Sequence, residues 1–307
     1  MANKKSSCFR KAPAKFIEKA IKSFVSQSQD NRLSLIDNTP IFDEPLVAFA
    51  RGDDPIFLQY KEIIGHFHLT PRETMQQSLD GPVAGDLSVI AWVLPITRRT
   101  RLSNRRMKSH PSLRWAHTRW DGERFNKSLR RYVVSLLRDR GYRAVAPFVE
   151  PSFKICRLPN GYSSNWSERH IAYVAGLGTF SLSDGLITPK GIAMRCGSVV
   201  AELELSPSPR VYASYTANCP FLKDGTCGVC MERCPAEAIT PEGHDKNLCW
   251  SYQDKIRSPF QQKYKVTDIG CGLCQTSVPG EWRIPRSASM AINQEASREE
   301  SRIGEQS

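Results

Sequence analysis

The sequence lacks an uninterrupted apolar run of about 18 residues, the length from which a membrane-spanning helix is predicted. Its lysine-rich start also lacks the apolar stretch and the small-residue cleavage site of a secretory signal peptide. No GxSxG motif or similar nucleophile elbow is present, so nothing points to a serine hydrolase. These absences predict a cytoplasmic protein with no membrane span.

Acidic residues are scarce in one segment, and the excess of basic residues there gives the chain its positive net charge. Residues 98 to 143 contain fifteen Lys or Arg but three Asp or Glu, an excess equal to the +12 net charge of the whole chain. Aromatic residues are interleaved with the arginines, a mixture suited to phosphate contact and base stacking. The segment therefore predicts a nucleic-acid partner, an acidic protein partner, or a solvated helix face with no partner.

Ten cysteines are present, and seven of them follow residue 218. These seven form two groups, which are Cys219, Cys227, Cys230 and Cys234 before Pro235, and then Cys249, Cys271 and Cys274. The spacing C-x2-C-x3-C-P within the first group is typical of iron–sulfur ferredoxins, whose clusters need soft thiolates brought together by short turns. A pair of zinc sites is the alternative, because two CxxC pairs can also hold a tetrahedral ion.

In two-cluster ferredoxins, the fourth cysteine of each run binds the other cluster. That rule predicts one complete 4Fe-4S site, formed by Cys234, Cys249, Cys271 and Cys274. It leaves a second cluster with three thiolates, those of Cys219, Cys227 and Cys230.

The missing thiolate belongs to the position before Pro279, where this chain has Val278. Valine cannot bind iron, so three arrangements remain open. The second cluster has an open iron, or it has three irons, or an oxygen ligand such as Ser277 or Glu281 replaces the thiolate. We favour the first two arrangements.

Apolar patterning predicts helices that alternate with strands covered on both faces. The predicted strands include PLVAFA, LSVIAWVLPI and CGSVVAELEL, and RFNKSLRRYVVSLLRDRGY is a predicted helix. A further amphipathic helix near residues 16 to 25 is expected to pack on the core or to dock on an anionic membrane surface. We divide the chain into an N-terminal amphipathic helix (1–30), an α/β domain for cofactor or substrate (31–206), a ferredoxin-like 4Fe-4S domain (207–286) and a flexible tail (287–307).

Three features resemble the epoxyqueuosine reductase group of iron–sulfur proteins: SERHIAYVAGLGTFSLSDGLIT, the strand GSVVAELEL after it, and the cysteine order that ends in LCWSY and CGLC. The corrinoid-binding domain of this group is related to that of reductive dehalogenases. PLVAFARGDDPIFLQYKEIIG and FHLTPRE resemble an anaerobe-type branch of unassigned reaction. The resemblance implies a fold of α/β (α+β) class, in which a nitroreductase-like sheet domain precedes a ferredoxin-like domain with two clusters.

The resemblance also implies cobalamin as a further cofactor. The turn AGLGTFSLSDG would approach the flat macrocycle through Gly176, Gly178, Ser181 and Asp184, although an ordinary helix stop accounts for the same glycines. Tyr162 stands where the resembling enzymes carry an acidic proton donor. Because members of the group reduce a modified base in transfer RNA, the resemblance implies tRNA binding through residues 98 to 143. It also implies a low-potential electron donor such as an acidic ferredoxin or a flavodoxin.

Three functions agree with these features. The first is a reductase whose clusters pass single electrons to a cofactor, since no side chain stores low-potential electrons. The second is an electron-transfer protein of the ferredoxin type, and the third is an RNA-binding protein with structural clusters. A large sheet domain is not needed for electron transfer alone, so we predict an iron–sulfur oxidoreductase.

Overall fold

A four-stranded antiparallel sheet forms the centre of the fold. The computed structural model describes residue 9, residues 11 to 159 and residues 161 to 286. The strands are β1 Leu46–Arg51, β2 Ser88–Pro95, β3 Ala144–Val145, β4 Ile155–Leu158, β5 Gly161–Ser164, β6 Thr179–Phe180, β7 Leu186–Ile187, β8 Met194–Ala201, β9 Ile239–Thr240 and β10 Gly243–His244. The central sheet has the order β1–β2–β8–β3, and the other strands form three two-stranded hairpins.

The helices surround the sheet and continue into the cysteine-rich region. They are α1 Pro13–Gln27, α2 Ile56–Ile63, α3 Pro71–Ser78, α4 Arg98–Arg105, α5 Leu113–Arg138, α6 Glu168–Val174, α7 Pro220–Asp224, α8 Val229–Glu232 and α9 Lys246–Tyr264, with 3-10 turns at Pro147–Val149 and Leu273–Gln275. Side-chain caps fix the starts of several helices. Before α5, the Ser112 hydroxyl accepts a hydrogen bond from the Trp115 N–H at 3.2 Å.

All eight residues of β2 are buried, which explains its unbroken apolar sequence. Ile90, Trp92 and Leu94 face a core formed with α1 and α5. The alternate residues face a second core formed with α2 and α6. The predicted mixed fold with doubly covered strands is therefore confirmed, although the strands pair antiparallel and β3 has two residues. The nitroreductase-like and ferredoxin-like descriptions stay predictions.

The predicted N-terminal amphipathic helix is α1, and its apolar side faces the core. Ile17, Ile21 and Val25 are buried, and the Phe24 ring stacks on the Tyr132 ring of α5 with 4.5 Å between centroids. Core packing, rather than docking on a membrane, accounts for this side of the helix. None of the helices in the described ranges has the length and apolar character that crossing a membrane requires.

The predicted domain boundary near residue 206 falls in the segment that links β8 to α7. This segment follows the edge of β1, where the Ser208 N–H donates to the Phe49 carbonyl at 2.8 Å and the Ser208 hydroxyl accepts from the Phe49 N–H at 3.0 Å. The link is thus tied to the sheet. The division into domains stays a prediction, and the proposed tail at 287–307 lies outside the described residues.

Candidate functional site

The cysteines predicted to form the complete cluster site lie around one cavity. Its volume is about 340 Å³, and its wall includes Cys234, Cys249, Cys271 and Cys274. Residues far apart in sequence therefore converge in the combination that the ferredoxin rule predicts. The cavity opens between the cysteine-rich region and one end of the central sheet, where Met194 and Arg195 of β8 form part of the wall.

Local structure explains how three of these thiols are positioned. Cys249 lies in the first turn of α9, whose start is capped by the Asp245 carboxylate through the N–H groups of Asn247 and Leu248. Cys271 and Cys274 flank Gly272, which has a φ of +62°. A Cβ at this glycine would lie 2.2 Å from the Trp115 ring, so no larger residue fits between the two thiols.

Two sulfurs accept hydrogen bonds, as cluster thiolates commonly do. The Ala238 N–H donates to Cys234 Sγ at 3.4 Å, and Gln253 Nε2 donates to Cys249 Sγ at 3.3 Å. Burial raises the pKa of Cys271 to about 11, and the nearby thiols of Cys249 and Cys234 act in the same direction. Burial raises the pKa of Cys274 as well, again with help from neighbouring thiols. Four such groups can be thiolates together when a positively charged core compensates them.

The remaining three cysteines of the pattern lie next to the four around the cavity. Burial raises the pKa of Cys230 to about 11, and the closeness of Cys219 and Cys227 adds to this effect. Cys219 precedes α7, and Cys230 lies within α8. Cys219 and Cys230 share an apolar cluster with Val278, which stands at the position of the absent thiolate.

The spacing of the thiols bears on the choice between zinc and iron. Within the described ranges, no set of three or more His, Cys, Asp or Glu side chains could hold a single metal ion. Zinc draws sulfur ligands to about 2.3 Å from one point. Each thiolate of an iron–sulfur cluster binds its own iron, so its sulfurs stand further apart. The presence of clusters rather than a pair of zinc sites stays a prediction.

Basic and polar side chains that the sequence did not single out form much of the remaining cavity wall. Arg119, Arg169 and Arg195 line it, and no Asp or Glu is among the described residues that do. Arg119 is held by Asp268 at 3.1 Å, and Arg195 is held by Glu123 at 3.1 Å. These guanidinium groups lower the electrostatic cost of placing negative charge beside the thiolates. Nothing in the spacing of such residues along the sequence could have identified them.

A second cavity of about 240 Å³ adjoins the first, since both are lined by Arg169, Met194, Arg195 and Gln275. Its wall contains a buried ion network centred on Arg130, which bonds Glu168 at 2.9 Å and Glu123 at 3.0 Å. Glu123 also pairs with Arg195, so the network connects both cavities to α5, α6 and β8.

The four residues predicted to contact a corrinoid contact other parts of the chain, and their role in binding a corrinoid stays a prediction. A Cβ on Gly176 would lie 2.5 Å from the Pro209 carbonyl oxygen, and one on Gly178 would lie 2.4 Å from that of Ile187. The chain's own backbone therefore occupies the space beside both glycines. Ser181 bonds Ser183 at 3.1 Å, and Asp184 bonds His244 at 3.2 Å. These contacts account for the four residues without a macrocycle.

Tyr162 lies on β5, outside the wall of the cavity that the four cysteines surround. Its ring packs against the Trp250 ring of α9, with 4.5 Å between centroids. Trp250 is the residue after Cys249, so Tyr162 lies on the outer side of the helix. Tyr252 of the same helix lines the cavity instead, and its hydroxyl donates to the Ser109 carbonyl. A catalytic role for Tyr162 stays a prediction.

The predicted basic face is smaller than the sequence count implies. Ten of the fifteen basic side chains in residues 98 to 143 form hydrogen bonds or ion pairs within the chain: Arg99, Arg101, Arg105, Arg114, Arg119, Arg124, Arg130, Arg138, Arg140 and Arg143. Several partners come from distant segments, such as Asp37, Glu202 and Glu281. Within the part of the chain that the structure describes, no such bond involves Arg98, Arg106, Lys108, Lys127 or Arg131.

Comparison with known proteins gives partial likenesses. No model of a protein family matches the chain. An epoxyqueuosine reductase of Leadbetterella byssophila is 33% identical over 110 residues, which are 34% of each chain. One of Cellulophaga algicola is 30% identical over 112 residues, again 34% of each chain. The matched part thus spans about a third of the length of these curated relatives.

The fold gives a broader likeness. A crystal structure of a selenomethionine-labelled epoxyqueuosine reductase matches with a TM-score of 0.52 and 15% identity, over 87% of this chain and 65% of that one. At this identity the match concerns the fold. The chain is therefore similar to epoxyqueuosine reductases in sequence over about a third of its length and in fold over most of it.

Proposed function

We propose that the protein is an iron–sulfur oxidoreductase that passes single electrons to a substrate bound between the cysteine-rich region and the central sheet. The observation that carries this proposal is the convergence of Cys234, Cys249, Cys271 and Cys274 on a cavity that arginines also line. A pure electron carrier does not need such a cavity. The likeness to two epoxyqueuosine reductases supports the same class of enzyme.

In this proposal the substrate is a modified base of transfer RNA, as the resemblance implies. Reductive cleavage of a carbon–heteroatom bond needs electrons from the clusters and a proton delivered to the leaving atom by a positioned side chain. A low-potential donor, such as an acidic ferredoxin or a flavodoxin, would reduce the clusters. Because backbone of the chain itself lies where a Cβ of Gly176 or Gly178 would stand, the proposal includes no corrinoid step.

The RNA would contact the basic side chains on α4, on α5 and in the loop between them that form no hydrogen bond or ion pair among the described residues. Phosphate contacts by these side chains would make binding fall steeply with salt. Gel retardation of tRNA at about 50 mM salt, repeated at higher salt, tests this part of the proposal. Absence of any retarded complex at the lower salt would reject an RNA substrate while leaving the redox site intact.

Anaerobic purification, with iron, sulfide and zinc analysis and a visible spectrum, tests the redox site. We expect about seven to eight irons per chain and broad absorbance near 400 nm, from the thiolate count. Two zinc ions and no iron would refute the proposal.

A matched pair of variants assigns the clusters to the thiols. Cys249→Ser removes one thiolate from the cavity wall, and we expect it to lose about half of the bound iron. Cys156→Ser alters a thiol of β4 that belongs to neither group, so its iron content should equal that of the parent. Equal iron content in both variants would show that Cys249 is not a ligand.

A further inference from the structure

The group of Cys219, Cys227 and Cys230 has three thiols, and the structure limits what can act as its fourth ligand. Sequence spacing leaves Val278, Ser277 and Glu281 near the required position. The contacts of these residues decide among an open iron, an oxygen ligand and a cluster of three irons.

The Glu281 carboxylate already accepts hydrogen bonds from other partners. Its side chain is 1% exposed. One carboxylate oxygen accepts from Arg105 Nε at 2.7 Å and from the Ser277 N–H at 2.7 Å, and the other accepts from Arg101 Nη1 at 3.4 Å. Turning towards iron would leave Arg101, whose side chain is 12% exposed, without its carboxylate, which is strongly unfavourable. Glu281 is therefore not available as a ligand.

Ser277 is exposed, whereas Cys219 is buried. Its backbone has a φ of +61°, and its N–H is held by Glu281. The next residue, Val278, packs against the apolar cluster that contains Cys219, Ile187 and Ile239, and Cys230, Cys234 and Cys274 pack against the same cluster. The side chain at the ferredoxin position thus belongs to the cluster that contains Cys219, and it is apolar.

An apolar surrounding also disfavours an open iron. An iron with no protein ligand takes water or hydroxide, and such a ligand beside Val278, Ile187 and Ile239 would lose hydrogen bonds on burial. We propose that Cys219, Cys227 and Cys230 hold a three-iron cluster whose absent corner is covered by Val278. This inference rests on the proposed function, because both require that the thiols bind iron–sulfur clusters.

Electron paramagnetic resonance of the anaerobically purified, oxidised protein tests the inference together with the iron count. An oxidised three-iron cluster is paramagnetic, whereas an oxidised four-iron cluster of the ferredoxin type is diamagnetic. We expect about seven irons per chain and a signal that integrates to about one spin. About eight irons and no such signal would overturn the inference and leave the proposed function standing. Absence of iron would refute the proposed function itself.

Variants at the covered corner give a second, independent measurement. Val278→Cys supplies the thiolate at the ferredoxin position, so iron should rise to about eight per chain and the oxidised signal should vanish. Val278→Ala removes part of the apolar cover without adding a ligand, and Ser277→Cys adds a thiol at the exposed neighbouring position. Both controls should keep the parent's signal. A signal and an iron content that both stay as in the parent when Val278 is replaced by cysteine would also overturn the inference.

Discussion

Replacing Arg130 with methionine tests whether the buried ion network supports both cavities. Arg130 is 1% exposed, and its guanidinium donates to Glu168 through Nε at 3.2 Å and Nη2 at 2.9 Å. Nη1 donates to Glu123 at 3.0 Å, and Nη2 also reaches the Cys196 carbonyl at 3.2 Å. Methionine fills similar space but leaves two carboxylates with fewer partners in a region closed to solvent.

The expected cost follows from this burial. Removing one partner of a buried ion pair typically costs about 3 to 5 kcal/mol, because the remaining charge is left uncompensated. At roughly 2 to 4 °C per kcal/mol for a chain of this size class, the thermal midpoint should fall by about 10 °C. Arg131→Met is the matched control, since Arg131 is exposed and has no ion pair among the described residues. It should change stability by less than about 0.5 kcal/mol.

The pH dependence makes the test specific to the carboxylates. Burial raises the pKa of Glu168, and Arg130 opposes that shift, so the variant should raise the pKa further. A carboxyl with a raised folded-state pKa binds its proton more tightly when folded, so stability falls as pH rises through the unfolded and then the folded value. The deficit of Arg130→Met should therefore be larger at pH 8 than at pH 5, as measured by circular dichroism melting. Equal deficits at both pH values, or a loss below about 1 kcal/mol, would contradict this account of the network.

His68→Gln tests how stability depends on acid. Burial lowers the pKa of His68 from 6.5 to about 4. The stability that depends on the neutral imidazole is therefore complete above pH 6.5 and is lost as pH falls towards 4. Between pH 7.5 and 5 the free energy of unfolding, measured in urea, should fall by about 2 kcal/mol more in the parent than in His68→Gln. The control His66→Gln, at an exposed histidine, should behave as the parent does. Equal losses in the parent and in His68→Gln would contradict this assignment. Tyr252 lines the cavity and Tyr162 does not, so we expect Tyr252 to be the proton donor. Tyr252→Phe should then lower turnover about 100-fold or more, whereas Tyr162→Phe should retain it. The reverse result would assign the proton to Tyr162, as the resemblance implies.

The regular elements could be predicted because their signals are local. The apolar run of β2, the helical spacing around Ile17 and Ile21, and the stop at Gly141 each depend on neighbouring residues. The cysteine groups could be predicted because ligand spacing reflects the geometry of the cluster itself. Antiparallel pairing could not be predicted, since strand direction depends on how the connecting segments cross the sheet.

The arginines at the site could not be predicted for a different reason. Arg195 and Arg119 come from separate elements and meet through folding, where the Arg195 guanidinium donates to the Arg119 carbonyl at 3.1 Å. The count of charges in residues 98 to 143 also overestimated the basic face. The one carboxylate that neutralises both Arg101 and Arg105 lies near the other end of the chain. A linear charge count records local excess but not the partners that folding brings close.

The pairing of Glu281 with α4 has a consequence for how the chain is made. Glu281 and Arg101 are 180 residues apart in sequence, so α4 emerges from the ribosome long before its carboxylate partner. Until then, Arg101 and Arg105 remain solvated, and closing so long a loop is slow. The sheet can collapse first, but the wall that carries Cys271 and Cys274 docks at the end of synthesis. Under the proposed function, delivery of iron to the cavity would therefore belong to a late, post-translational stage of maturation.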